Sequence, residues 1–82
     1  MNTSEVVIEP WPRFSDYWSV ELHGKNTGCI QRVGHPQQIN IAHYRFGGVH
    51  DFYRLDAYAQ QLVTKAANDF IALQKITDRM LA

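Results

Sequence analysis

Tyr17-Trp18-Ser19-Val20-Glu21-Leu22-His23, then Gly24-Lys25-Asn26-Thr27-Gly28, then Cys29-Ile30-Gln31-Arg32-Val33 is the stretch on which the fold turns. In its first part Trp18, Val20 and Leu22 fall on one side and Tyr17, Ser19, Glu21 and His23 on the other. A period of two with one apolar side marks a half-buried strand. Gly24 to Gly28 supplies the small and polar residues of a turn, so the two runs read as the arms of an antiparallel hairpin. Gly34-His35-Pro36 ends the second arm.

Outward from the hairpin, Glu5-Val6-Val7-Ile8-Glu9 is β-branched and stops at Pro10-Trp11-Pro12. Prolines lack the backbone donor a ladder needs, which places this segment at a sheet edge. After the hairpin, residues from about Gln38 to Phe46 carry apolar groups on both sides: Ile39 and Ile41 on one, Ala42, Tyr44 and Phe46 on the other. Two apolar sides point to a central strand, ended by Gly47-Gly48. From Val49 to Ala82 there is neither glycine nor proline, and Asp51 or Asp56 is placed to cap a helix. Leu55, Ala59, Leu62, Ala66, Phe70, Leu73 and Met80, flanked by Val63, Ala67 and Ile71, recur at helical spacing.

The fold class that follows is α+β: a three- or four-stranded antiparallel sheet followed by one long C-terminal helix packed on one face. The strands lie within about residues 4–46 and the helix over about 51–81, with Trp18, Leu62 and Phe70 expected in the core. A helix from Asp56 to Leu81 would be roughly 39 Å long, against about 17 to 24 Å for strands of ordinary length. Either it bends at Asn68-Asp69, or Ile76, Met80 and Leu81 find cover on another chain, a second copy or a different partner; the first makes them candidate self-association residues of a homodimer.

The chain has 82 residues, enough for one domain. With 45% apolar and 20% charged residues and a net charge of zero, it is neither a disordered acidic tail nor a histone-like basic protein. No run approaches the about 18 apolar residues of a membrane span, so no membrane partner is expected. The start, Met1-Asn2-Thr3-Ser4-Glu5, lacks the basic and apolar regions of a signal peptide, and the expected compartment is cytoplasmic. The lone Cys29 makes no internal disulfide.

Cys29 and His23, His35, His43 and His50 raise the question of zinc, but none forms the close ligand pair that a tight turn or one helical turn presents. No metal and no cofactor are expected. No flanking sequence suggests a helix N-terminus or an oxyanion nest at Cys29 to activate a thiolate, and Glu5, Glu9, Asp16 and Glu21 show no apolar shielding in the sequence. Gly24-Lys25-Asn26-Thr27-Gly28 lacks the spacing and the Lys-Ser/Thr ending of a phosphate-binding loop. No catalytic residue is assigned, and the reading is not an enzyme.

Charge is segregated despite the zero total. Residues 1–23 hold Glu5, Glu9, Asp16 and Glu21 against Arg13, whereas residues 24–54 hold Lys25, Arg32, Arg45 and Arg54 against Asp51. In the basic segment 25–54 the cations alternate with Tyr44, Phe46, Phe52 and Tyr53, the combination that holds single-stranded nucleic acid. Arg45-Phe46-Gly47-Gly48-Val49-His50-Asp51-Phe52 distantly resembles the strand signature of RNA-recognition motifs, except that there glycine follows the basic residue directly. Exposed Trp, Tyr and Arg are equally the residues that anchor protein interfaces. The candidate partner-binding residues are therefore Trp11, Arg32, Tyr44, Arg45, Phe52, Tyr53 and Arg54. In size and element order the chain is similar to the very small inhibitors of phages and mobile elements, such as anti-CRISPR proteins. That resemblance implies a non-enzymatic protein-binding module, an inhibitor or adaptor that docks on a larger, nucleic-acid-processing protein. The alternative is a nucleic-acid-binding domain acting through residues 25–54.

Because no ligand pair is preformed, thermal unfolding with and without a strong chelator should give the same midpoint. A large drop on chelation would establish a structural metal instead.

Overall fold

The computed structural model describes residues 5–33 and 43–81. Four strands, β1 (Val6–Pro10), β2 (Tyr17–Leu22), β3 (Lys25–Val33) and β4 (His43–Gly48), form one antiparallel sheet in the order β1-β2-β3-β4. A 3-10 turn at Phe52–Arg54 leads into the helix α1 (Ala57–Leu81). Sheet and helix are thus the α+β arrangement expected from the sequence. Residues 38–42 of the strand expected from about Gln38 to Phe46, including Ile39 and Ile41, lie outside the described residues, and so does His35.

Alternation and register assign the two sheet faces. Val6 pairs with Leu22, Ile8 with Val20 and Pro10 with Trp18; Trp18 then pairs with Ile30, and Ile30 with Phe46. This is the face toward α1. Val20, Ile30, Val63 and Ala67 are fully buried at its centre, and Trp18, Tyr44, Phe46, Leu62 and Phe70 pack around them half-buried. Trp18, Leu62 and Phe70 therefore rim the core instead of filling it. The stripe read from the sequence runs along one edge of the buried arc, and its expected flank, Val63 and Ala67, lies at the centre. The small side chain of Ala67 lets the helix approach Val20 and Ile30. Trp18 and Phe70 meet edge-on at 5.4 Å, a favourable aromatic geometry.

The β2–β3 turn differs from the expected five-residue loop. It is made by His23 and Gly24, both at positive φ (52° and 81°), the pairing that the right-handed twist of a two-residue hairpin favours. Lys25 to Gly28 accordingly belong to β3, after a register shift between Val20 and Glu21. Asn26 Oδ1 accepts the Gly28 N–H at 2.8 Å, and the buried Thr27 hydroxyl donates to the Val20 carbonyl at 2.9 Å. Those local bonds draw turn-type residues into a strand.

Gly47 and Gly48 do not end β4 early; they pair with Cys29 and Gly28. A Cβ on Gly28 would sit 2.6 Å from the Gly47 carbonyl oxygen and 2.7 Å from the Phe46 ring. β4 is an edge strand and not a central one, because each strand simply follows its predecessor across the sheet. Asp56 caps the helix, its carboxylate accepting the Ala59 N–H at 2.8 Å. The helix runs without interruption through Asn68-Asp69, where Asp69 is ion-paired with Lys65 one turn earlier.

Ile30→Ala should cost about 2 to 5 kcal/mol, because Ile30 is fully buried between sheet and helix and its loss leaves a cavity. Denaturant unfolding measures it; a cost under about 1 kcal/mol would place the core elsewhere.

Candidate functional site

The second sheet face is covered by no described element. Val7, Glu9, Tyr17, Ser19, Glu21, Cys29, Gln31, Val33, His43 and Arg45 alternate onto it, opposite the helix. At one end of this face the β1–β2 connection folds back: the Trp11 N–H donates to the Tyr17 carbonyl at 3.1 Å. Trp11, Phe14 and Tyr17 thereby form an aromatic cluster with ring centroids 5.6, 6.3 and 5.8 Å apart. Trp11 stays 36% exposed and Phe14 52%. From Tyr17 the ladder leads sideways to Gln31 and then Arg45, a row crossing β2, β3 and β4. Glu9 and Glu21 lie on the same face, which therefore carries both signs of charge.

Seven candidate binding residues were singled out in the sequence, and they do not share one surface. Trp11 and Arg45 belong to the open face. Arg32 and Tyr44 point to the helix side, where they meet Asp78 of α1: the Tyr44 hydroxyl donates to Asp78 Oδ2 at 2.5 Å, and Arg32 Nε lies 3.5 Å from the same oxygen. Arg32 also reaches Asp16 Oδ1 at 3.8 Å, and its N–H donates to the Asp16 carbonyl at 2.9 Å. Burial pushes the Tyr44 phenol above its ordinary value, and its bond to Asp78 raises it further. Arg32 loses hydration on burial, but its partners Tyr44, Asp78 and Asp16 more than compensate and hold it charged. These two residues tie the last turns of α1 to the sheet.

Phe52 is half-buried between Phe46 and Tyr53, at 5.6 and 5.2 Å. Tyr53 and Arg54 remain exposed at the opposite end of the molecule from Trp11. There Arg54 and Lys25 line a cavity of about 410 Å³ floored by Leu22 and Leu55. On α1, Ile76 and Met80 are 51% and 80% exposed, with Leu73 beside them at 58%; Leu81 ends the helix. Phe14, Tyr17 and Gln31 were not among the sequence candidates. Their signal was present in the alternation, which sets Tyr17 on the side away from Trp18, but only the fold-back of the β1–β2 connection brings Trp11 and Phe14 to it.

Among the described residues no three His, Cys, Asp or Glu side chains converge as a metal site would require, and no helix is long and apolar enough to cross a membrane. Comparison of the chain with protein-family models, curated proteins and solved structures gives no match in any of the three.

Tyr44→Phe should cost about 1 to 2 kcal/mol near neutral pH by removing a hydrogen bond to a carboxylate. With the folded-state value raised above the ordinary 10.0, the stabilisation is full below that pH. It is lost as pH rises, because Tyr44 ionises first in the unfolded chain. The stability gap between wild type and Tyr44→Phe should therefore narrow above pH 10.0. A gap constant from neutral to strongly alkaline pH would remove Tyr44 from the tie.

Proposed function

We propose that the protein is a non-enzymatic, cytoplasmic protein-binding module, a small inhibitor or adaptor that docks on a larger protein through its open sheet face. The exposed Trp11–Phe14–Tyr17 cluster carries this reading. Its rings meet at tilted and edge-on angles and are not part of the core. Large aromatics held rigidly at a surface are the side chains that dominate protein interfaces when truncated. Glu9 and Glu21 on the same face as Arg45 favour a partner of mixed charge over a polyanion. In size and layout the chain is similar to inhibitors encoded by phages and mobile elements, whose targets are nucleic-acid-processing proteins; this supports that class of target for it.

One observation favours the nucleic-acid alternative: Tyr17, Gln31 and Arg45 stand in one row across three strands, a stacking ring followed by a hydrogen-bonding and a cationic side chain. The two readings part experimentally. Once a protein is captured from the source organism, direct titration against wild type and the Trp11→Ala, Phe14→Ala double variant should show a loss of about tenfold or more, the size expected of a hot spot. Mobility shifts with single-stranded DNA and RNA at two salt concentrations should show no binding. Equal affinity of wild type and variant for the protein, or a salt-sensitive shift with nucleic acid, would sink the protein-docking reading.

A further inference from the structure

The last three turns of α1 bear apolar side chains that the fold itself does not use. The helix face buried at Val63, Ala67, Phe70 and Ile71 continues, at steps of three and four, to Gln74 and Asp78, both half-buried. The sheet thus holds the helix end by a polar tie, Asp78 to Tyr44 and Arg32. Leu73, Ile76 and Met80, themselves at steps of three and four, form a separate stripe exposed at 58%, 51% and 80%. Leaving such a stripe in water costs roughly 25 cal/mol per Å² of apolar surface, and placing polar residues toward the sheet does nothing to relieve it.

The charges beside the stripe select the occupant. On a helical wheel Arg79 and Lys75 follow Ile76 around the exposed side, one turn apart. Neither is ion-paired among the described residues, whereas Lys65 is paired with Asp69. The only acid in these turns, Asp78, is turned to the sheet. The surface is therefore an apolar stripe with a free cationic flank. A second copy fits it poorly: in an antiparallel two-fold pair the same flank meets itself, so Lys75 and Arg79 would face the Lys75 and Arg79 of the copy. A bilayer surface is better served by more cations and by aromatic residues, which this stretch of helix lacks.

We propose that the outer face of α1 from Leu73 to Met80 docks an amphipathic helix of another protein, one that presents an aliphatic stripe flanked by carboxylates. The site lies on the opposite side of the sheet from the Trp11 cluster and does not rest on the sheet-face reading. With both occupied, one molecule bridges two partners, which is the action of an adaptor.

Two designed helical peptides test it by fluorescence anisotropy on the wild-type chain. Both carry the same leucine stripe, one with glutamate flanks and one with lysine flanks. The glutamate peptide should bind about tenfold tighter or better at low salt, with the preference shrinking as salt rises. Lys75→Glu with Arg79→Glu should reverse the preference. Ile76→Gln with Met80→Gln, chosen because glutamine keeps the helix, should weaken both peptides, while Trp11→Ala with Phe14→Ala should change neither. The peptide comparison on wild type needs no variant to fold. Equal binding of the two peptides, no binding of either, preferential binding to phosphatidylcholine–phosphatidylserine vesicles, or sedimentation as a dimer that the Gln pair dissociates would each overturn the proposal.

Discussion

Burial of Ile30 and Val20 under Val63 and Ala67 is the contact on which the rest of the molecule depends. A four-stranded sheet has two faces, and the described chain supplies one helix to cover them. The covered face must therefore collect nearly all of the apolar surface that folding removes from water, and the approach has to be close. The small side chain of Ala67 allows it, while Gly28 and Gly48, paired across β3 and β4, make room for the rings of Phe46 and Phe52. Gly28 is the tightest point, with backbone and a ring both inside the radius that a Cβ would need. Phe46 and Phe52 fill the space around these glycines.

A helix of 25 residues is about 37 Å long at 1.5 Å per residue, close to the longest dimension of the molecule, 39 Å. Its apolar grip on the sheet ends near Ile71, and a different kind of bond takes over. Asp78 receives the Tyr44 hydroxyl and lies against Arg32, which also reaches Asp16. This polar knot joins helix, β3, β4 and the β1–β2 connection at one corner. Charged partners half-shielded from water contribute less to stability than core burial, but they fix the direction in which the helix leaves the sheet. Once Asp78 faces inward, helical geometry obliges Leu73, Ile76 and Met80 to face out.

Two surfaces of different chemistry result. The open sheet face offers flat, rigid aromatics beside charges of both signs; the helix end offers an aliphatic stripe with cations alone. They lie on opposite sides of the sheet, so a ligand on one does not obstruct the other.

The sequence by itself determined the period of two in Tyr17 to Leu22 and the glycine-free helical run to Leu81, and narrowed the cap to Asp51 or Asp56, because these depend on neighbours a few residues apart; the structure chose Asp56. It also set Tyr17 on the side opposite Trp18. It misplaced the hairpin turn, since Gly24 to Gly28 has turn composition while the twist of paired strands demands positive φ at His23 and Gly24. It took Gly47-Gly48 for a break, because the close approach of Gly28 exists only once β3 and β4 are paired. The roles of Arg32 and Tyr44 were out of its reach as well: their partner Asp78 is 34 residues beyond Tyr44 along the chain. Only the tertiary structure could decide which aromatics and arginines were consumed by folding and which were left at the surface, because that choice is made by contacts between segments whose separation along the chain carries no local pattern.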